Sequence, residues 1–125
     1  MTNARMFLGG TRAMIGLGSW LAPDLTMRLF GIDPKRADRF VGRLFGAREL
    51  ALATSLLAAP ASAVAPVATL GAAVDAIDSI AGFDEARRGN MTTQATILGP
   101  LGALLFVALG IAVARDAAVP AAASA

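Results

Sequence analysis

Six ionisable side chains stand inside otherwise apolar stretches of this sequence: Arg12, Arg43, Arg48, Glu49, Asp75 and Asp78. Arg43, Arg48 and Glu49 share residues 40–59, FVGRLFGARELALATSLLAA, where Gly42 and Gly46 form a Gly-x-x-x-Gly frame. Asp75 and Asp78 lie in VDAIDSIAGF, and Arg12 lies in MFLGGTRAMIGLGSWLA. A lone arginine or aspartate at the centre of a membrane helix disfavours insertion by about 2.5 to 3.5 kcal/mol, so these groups are expected to pair. The expectation is a shared network of Arg12, Arg48, Glu49, Asp75 and Asp78, with Arg43 at its cytoplasmic edge. Without Arg43 the network holds two positive and three negative groups. Either Arg43 contributes or one carboxyl holds a proton. Such a cluster can clamp helices together, bind a small ligand, or relay a proton or cation. In an enzyme, Glu49 or Asp75 would serve as general acid or base. Two aspartates flanked by arginines make a poor hard-metal site, so no metal is expected and no catalytic residue is assigned.

Composition narrows the chemistry further. Of the 125 residues 56% are hydrophobic and 16% charged, against roughly 25% charged in soluble domains, and mean hydropathy is +0.64. This is the composition of a membrane protein. Cysteine, histidine and tyrosine are all absent. Disulfides, thiolate nucleophiles, iron–sulfur clusters and the usual haem and zinc ligands go with them, as does the commonest neutral-pH base. No cofactor is expected, and the balance leans away from an enzyme. The net charge of +2 comes from scattered arginines. It reads as membrane orientation rather than as a nucleic-acid surface.

The elements that must position the six groups are four apolar helices in one domain, residues 1–116. The spans fall at about 5–22, 38–59, 64–83 and 95–114, followed by a flexible tail at 117–125. The first span resembles a secretory signal by position, but Arg12, Trp20 and Pro23 oppose cleavage. Trp20 suits an interfacial anchor. Pro23 then starts a short interfacial helix on which Leu25, Leu29 and Ile32 share a face. Asp33 and Pro34 are expected to cap and start the second long helix, ended by Pro60. PASAVAP should form a tight hairpin, and residues 84–93 a polar connector. Pro100 is expected in the first turns of the fourth span, which offers no chemistry of its own. The fold class is therefore an all-α, four-helix transmembrane bundle with a short interfacial helix after the first span.

Helical spacing places each charge in a stripe of small residues. Gly9, Arg12, Gly16 and Ser19 share one face of the first span, as do Gly42, Gly46, Glu49 and Ala53 on the second. Gly71, Asp75, Asp78 and Gly82 follow on the third. Such stripes let membrane helices approach closely, so the charges should face the bundle. At a rise of about 1.5 Å per residue, Arg48 and Glu49 lie roughly 10 to 14 Å from one end of their span, and Asp78 and Asp75 about 8 to 12 Å from the same side. Arg12 sits nearer the middle, within reach of Asp75. The basic connectors, with Arg28, Lys35, Arg36 and Arg39 and then Arg87 and Arg88, are expected in the cytoplasm, leaving both termini outside.

Through GTRAMIGLGSWLAPDLTMRLFGIDP, GRLFGARELALATSLL and VDAIDSIAGF, the chain up to about residue 83 resembles a family of small four-helix bacterial integral membrane proteins, more distantly DoxX-like. The most specific block is residues 42–49, with Asp75 and Asp78 following. The resemblance implies the four-helix fold and a bacterial plasma membrane location, while the family's own activity is not established. Some DoxX-type relatives are linked to redox or quinone-associated systems, for which this chain lacks Cys, His and Tyr. Three function classes follow. The first is a structural or accessory subunit whose charge network maintains the fold, with the bilayer and a larger membrane complex or homo-oligomer as partners. The second is a proton- or cation-linked transporter, or a binder of a small lipophilic molecule. The third is a membrane enzyme on a lipophilic substrate. A water-accessible cavity reaching Asp75 and Asp78 favours transport, and a dry, fully paired cluster favours the first class; the third needs a lipid-sized pocket opening beside Glu49 or Asp75.

Overall fold

The protein, seen in a computed structural model, is described for the backbone of residues 1–124 and the side chains of residues 1–119. Local capping chemistry sets most helix boundaries. Thr2 accepts a hydrogen bond from the Arg5 N–H at 3.2 Å and opens α1 (Asn3–Leu21). Pro23 occupies the first turn of α2 (Pro23–Leu29), where a missing N–H costs nothing. Gly31, at φ +76, ends that turn with a backbone conformation other residues rarely adopt.

α3 (Arg39–Ala58) begins later than the Asp33-Pro34 pair suggested. Its cap is Asp38, which accepts from the N–H groups of Phe40 at 2.8 Å and Val41 at 3.3 Å. Asp33 instead accepts from the Lys35 N–H at 3.0 Å and closes a local turn. Both residues can cap, and the one adjoining the apolar run does so.

The PASAVAP hairpin is tighter than expected. Helix resumes directly after Pro60 as α4 (Ala61–Arg87), which takes Pro66 into its second turn. Thr92 then accepts from the Ala95 N–H at 3.1 Å and starts a continuous rod. The rod consists of α5 (Thr93–Thr96), a π-helical turn (Ile97–Leu101) and α6 (Gly102–Ser124). Pro100 lies inside the π turn and does not begin the helix. Having no N–H, it cannot make the ordinary helical bond, and the wider turn absorbs the gap. The expected tail is helical from Ala117 through Ser124, and its last residue, Ala125, lies outside the described residues.

The helices pack as two pairs, α1 along α3 and α4 along α6. At one end the pairs meet in a core of Leu8, Leu56, Val64, Ala68 and Val113, one or two residues from each long helix. α2 packs on α1 and α3. The closest approach within the first pair is backbone on backbone. A Cβ on Gly46 would stand 2.8 Å from the Gly16 carbonyl oxygen, and one on Gly16 would stand 2.9 Å from that of Gly46.

The carbonyls left open where α3 ends find a donor in Arg5. Its guanidinium donates to Leu56 O at 2.9 Å, Leu57 O at 3.2 Å and Ala59 O at 2.7 Å. This fork ties the start of α1 to the hairpin in place of a glycine cap. Hydrogen bonds to a charged donor contribute about 1.5 to 3 kcal/mol, so Arg5→Ala should lower unfolding free energy in detergent by about 2 kcal/mol. Arg5→Lys, which lacks the fork, should recover less than half of that loss.

Beside the apolar core the interior holds polar groups, and many large apolar side chains face outward. Arg12, Glu49, Asp75, Ser19 and Ser79 are buried, while Phe7, Met14, Leu21, Leu70, Ile77 and Ile80 are exposed. The buried face of α1 comprises Leu8, Gly9, Arg12, Gly16 and Ser19, which contains the stripe expected from sequence. The protein is all-α among the described residues. Two of its helical rods, Ala61–Arg87 and Thr93–Val119, are long and apolar enough to cross a membrane. α1 and α3 are nearly as long as a bilayer core is thick, but their inward charges dilute their apolar character.

Candidate functional site

Arg12 is the hub of the charge cluster. Its side chain is 2% exposed, and its two terminal nitrogens diverge. Nη1 donates to Glu49 Oε2 on α3 at 2.9 Å, and Nη2 donates to Asp75 Oδ2 on α4. The face of the same guanidinium lies 4.9 Å from the ring centre of Phe106 on α6. One arginine thus touches all three neighbouring long helices, and Gly71, whose Cβ would meet Nη2 at 3.4 Å, leaves it room. This half is dry: Glu49 and Asp75 are 3% and 4% exposed at their side chains.

The other half is more open. Arg48 donates both terminal nitrogens to Asp78, Nη1 to Oδ1 at 3.2 Å and Nη2 to Oδ2 at 2.6 Å. The two side chains remain 40% and 32% exposed. Arg48 Nη2 also stands 3.8 Å from Glu49 Oε1, which links the halves. Phe45 lies under the guanidinium at 5.0 Å, and Nε is buried without a hydrogen-bond partner.

The structure therefore brings together Arg12, Arg48, Glu49, Asp75 and Asp78, and leaves Arg43 apart. Arg43 is exposed, with its guanidinium 4.2 Å from the Trp20 ring centre. The spacing that places it one turn before the cluster also rotates it outward. Trp20 then gains a cation on its face. The glycines expected to serve packing each meet a neighbour: Gly9 against Leu57, Gly42 against the Met27 methyl, Gly82 against the Pro100 ring, with Gly16, Gly46 and Gly71 as described.

Between the two helix pairs lies a cleft of about 870 Å³. It is bounded by the second half of α1, the first half of α3, the second half of α4, the π turn and the start of α6. Its walls are mainly apolar, and Arg48, Glu49, Asp75 and Asp78 form its inner end. Val41, Leu44 and Leu105 both line it and are exposed, so its mouth opens between α3 and α6. α2 closes one side through Pro23, Thr26 and Met27. That cover is tied down from the opposite connector, where Thr92 Oγ1 donates to Gly31 O at 3.0 Å and Gln94 Nε2 to Leu29 O at 2.8 Å.

The fourth rod supplies more of this site than its sequence suggested. Phe106 stacks on the hub, and the Pro100 carbonyl accepts from Ser79 Oγ at 3.1 Å, seating the π turn on α4. An aromatic inside an aliphatic run and a proline one turn into a helix were the available signals. Among the described residues no group of His, Cys, Asp and Glu has the arrangement to hold a metal ion.

Fold and site together define an all-helical protein with membrane-length apolar rods around a buried ion cluster and an apolar cleft. No protein-family model, curated protein or solved structure matches the chain.

Proposed function

We propose that the chain is a four-span integral membrane protein that binds a small lipophilic molecule in the cleft between its helix pairs. The cleft carries this reading, being an apolar cavity of about 870 Å³ that ends on the half-exposed Arg48–Asp78 pair. Sites for small organic molecules occupy about 300 to 1,000 Å³, with apolar walls and a few polar groups that fix orientation. An accessory-subunit role, placed first on sequence grounds, would rest on a dry and fully paired cluster. Only the Arg12 half has that character.

The membrane reading is supported by what faces outward. Large apolar side chains are exposed on all four long helices, where water would be the least favourable neighbour and lipid the natural one. α1 and α3 turn their charges inward and pair them, which removes most of the insertion penalty. On α2, Leu25 and Leu29 face out while Pro23 and Met27 pack in, the arrangement of an interfacial helix. The basic connectors, with Arg28, Lys35, Arg36 and Arg39 and then Arg87 and Arg88, support a cleft in the cytoplasmic half and both termini outside by the positive-inside rule. Its partners are the bilayer and the bound molecule, and a larger assembly remains compatible with the outward faces.

Purification in mild detergent, followed by native mass spectrometry, should detect a lipophilic molecule on the wild type. Ala103→Trp, which fills the cleft from α6, should abolish it without lowering unfolding free energy by more than about 1 kcal/mol. Equal occupancy in the two proteins would remove the cleft as the site.

A further inference from the structure

The inner end of the cleft carries a charge that the protein does not cancel. Arg12 and Arg48 are opposed by Glu49, Asp75 and Asp78, leaving one negative charge in excess. The nearest other cations are engaged elsewhere. Arg43 covers Trp20, Arg39 pairs with Asp24 at 3.1 Å, and Arg5 holds the end of α3. No ionisable residue of α2, the π turn or α6 lines the cleft. Asp38, at its far end, caps α3 and adds no positive charge. In an apolar cavity an uncancelled charge is held by few neighbours and poorly screened, so it must be met by a proton or by a ligand.

The aromatic lining points the same way. Phe30, Phe45 and Phe106 all border the cleft, and two of them already present ring faces to arginines. Ring faces attract cations, most strongly when these are weakly hydrated. An anion finds no such site. The terminal nitrogens of Arg48 are taken by Asp78 and those of Arg12 by Glu49 and Asp75, so no guanidinium is left for an anion, whereas Glu49 and Asp75 have one guanidinium between them.

Building on the binding function above, we propose that the cleft takes a lipophilic monocation, an amine or quaternary onium with an apolar body, and that this cation and a proton alternate at the cluster. The apolar body lies between α3 and α6. The cationic centre sits at the inner end, toward the Glu49 and Asp75 carboxylates that share the single Arg12 guanidinium and line the cleft. Uptake of the cation releases the proton that otherwise balances the carboxylates, and acidification displaces the cation.

Titration calorimetry on detergent-purified protein, with three probes of similar shape, tests this. The probes are tetraphenylphosphonium, the neutral triphenylphosphine oxide and tetraphenylborate. The cation should bind at least about tenfold more tightly than the neutral probe, and the anion least. Cation affinity should rise with pH, and repeating the titration in buffers of different ionisation enthalpy should count a proton released per cation bound. Asp78→Asn, which frees Arg48 to neutralise Glu49 3.8 Å away, should remove the cation preference and leave the neutral probe's affinity within about twofold. Equal affinity for cation and neutral probe, or cation affinity independent of pH, overturns the charge inference while the cleft reading stands; both are read on wild type, whether or not the variant folds. Failure of all three probes, with Ala103→Trp indistinguishable from wild type, overturns the cleft reading and this inference with it.

Discussion

Arg12→Leu is expected to destabilise the protein by about 3 to 5 kcal/mol, the cost of leaving buried carboxylates without their counter-charge. Arg12 is the sole guanidinium within hydrogen-bonding distance of Glu49 and of Asp75 among the described residues, and both lie almost fully buried. Removing it leaves two carboxylates facing one another, with Arg48 already committed to Asp78 and 3.8 Å from Glu49. The packing loss adds to this, since the guanidinium also covers Phe106. Arg12→Lys keeps the charge but cannot bridge two helices with divergent nitrogens, so it should fall between wild type and leucine. The decisive comparison is the triple variant Arg12→Leu, Glu49→Gln, Asp75→Asn. Replacing a whole buried ion cluster is far cheaper than removing one member, so the triple should recover more than half of the loss. Equilibrium unfolding in mixed detergent measures all three. A single-variant cost below about 1 kcal/mol would show that the cluster does not hold the helices together.

How far the sequence carries this arrangement depends on the kind of information each residue encodes. The stripes were legible because helical periodicity is a local rule: Gly9, Arg12, Gly16 and Ser19 must share a face once residues 5–22 are helical. The pairing level was legible because Arg48–Glu49 and Asp75–Asp78 sit at matching distances from the same end of two antiparallel helices. Which acid meets which base was not. Arg12, expected at reach of Asp75, is bonded to both Asp75 and Glu49, while Arg48 turns to Asp78. That choice follows from how each helix is turned about its axis, which contacts such as Gly16 on Gly46 fix. Asp33 and Asp38 are equivalent caps by type, and the one adjoining the apolar run caps α3. The cleft was hidden for a deeper reason. No residue encodes it; it lies between two closely packed pairs, α1–α3 and α4–α6, that meet in the Leu8–Leu56–Val64 core.

Gly46→Ala should cost about 1 to 3 kcal/mol, although alanine is the better helix former. The added Cβ would stand 2.8 Å from the Gly16 carbonyl oxygen and 3.0 Å from the Trp20 nitrogen, both backbone atoms that move only with the whole of α1. Such a shift is felt at the cluster, because Arg12 lies one turn before Gly16 on the same face and must still reach Glu49 and Asp75. Gly42→Ala provides the internal control. Its Cβ would meet the Met27 Cε at 2.7 Å, the free end of a flexible side chain, so the methyl can swing aside. The cost there should stay below about 0.5 kcal/mol. Unfolding of the two variants, and of Gly46→Ala combined with Arg12→Gln, separates packing within the chain from association between chains. Packing predicts a large Gly46 effect, a small Gly42 effect, and a combined loss smaller than the sum, since displaced helices have already weakened the ion bridges. Equal losses at both glycines that vanish on dilution to monomer would instead assign the Gly-x-x-x-Gly frame to a dimer interface.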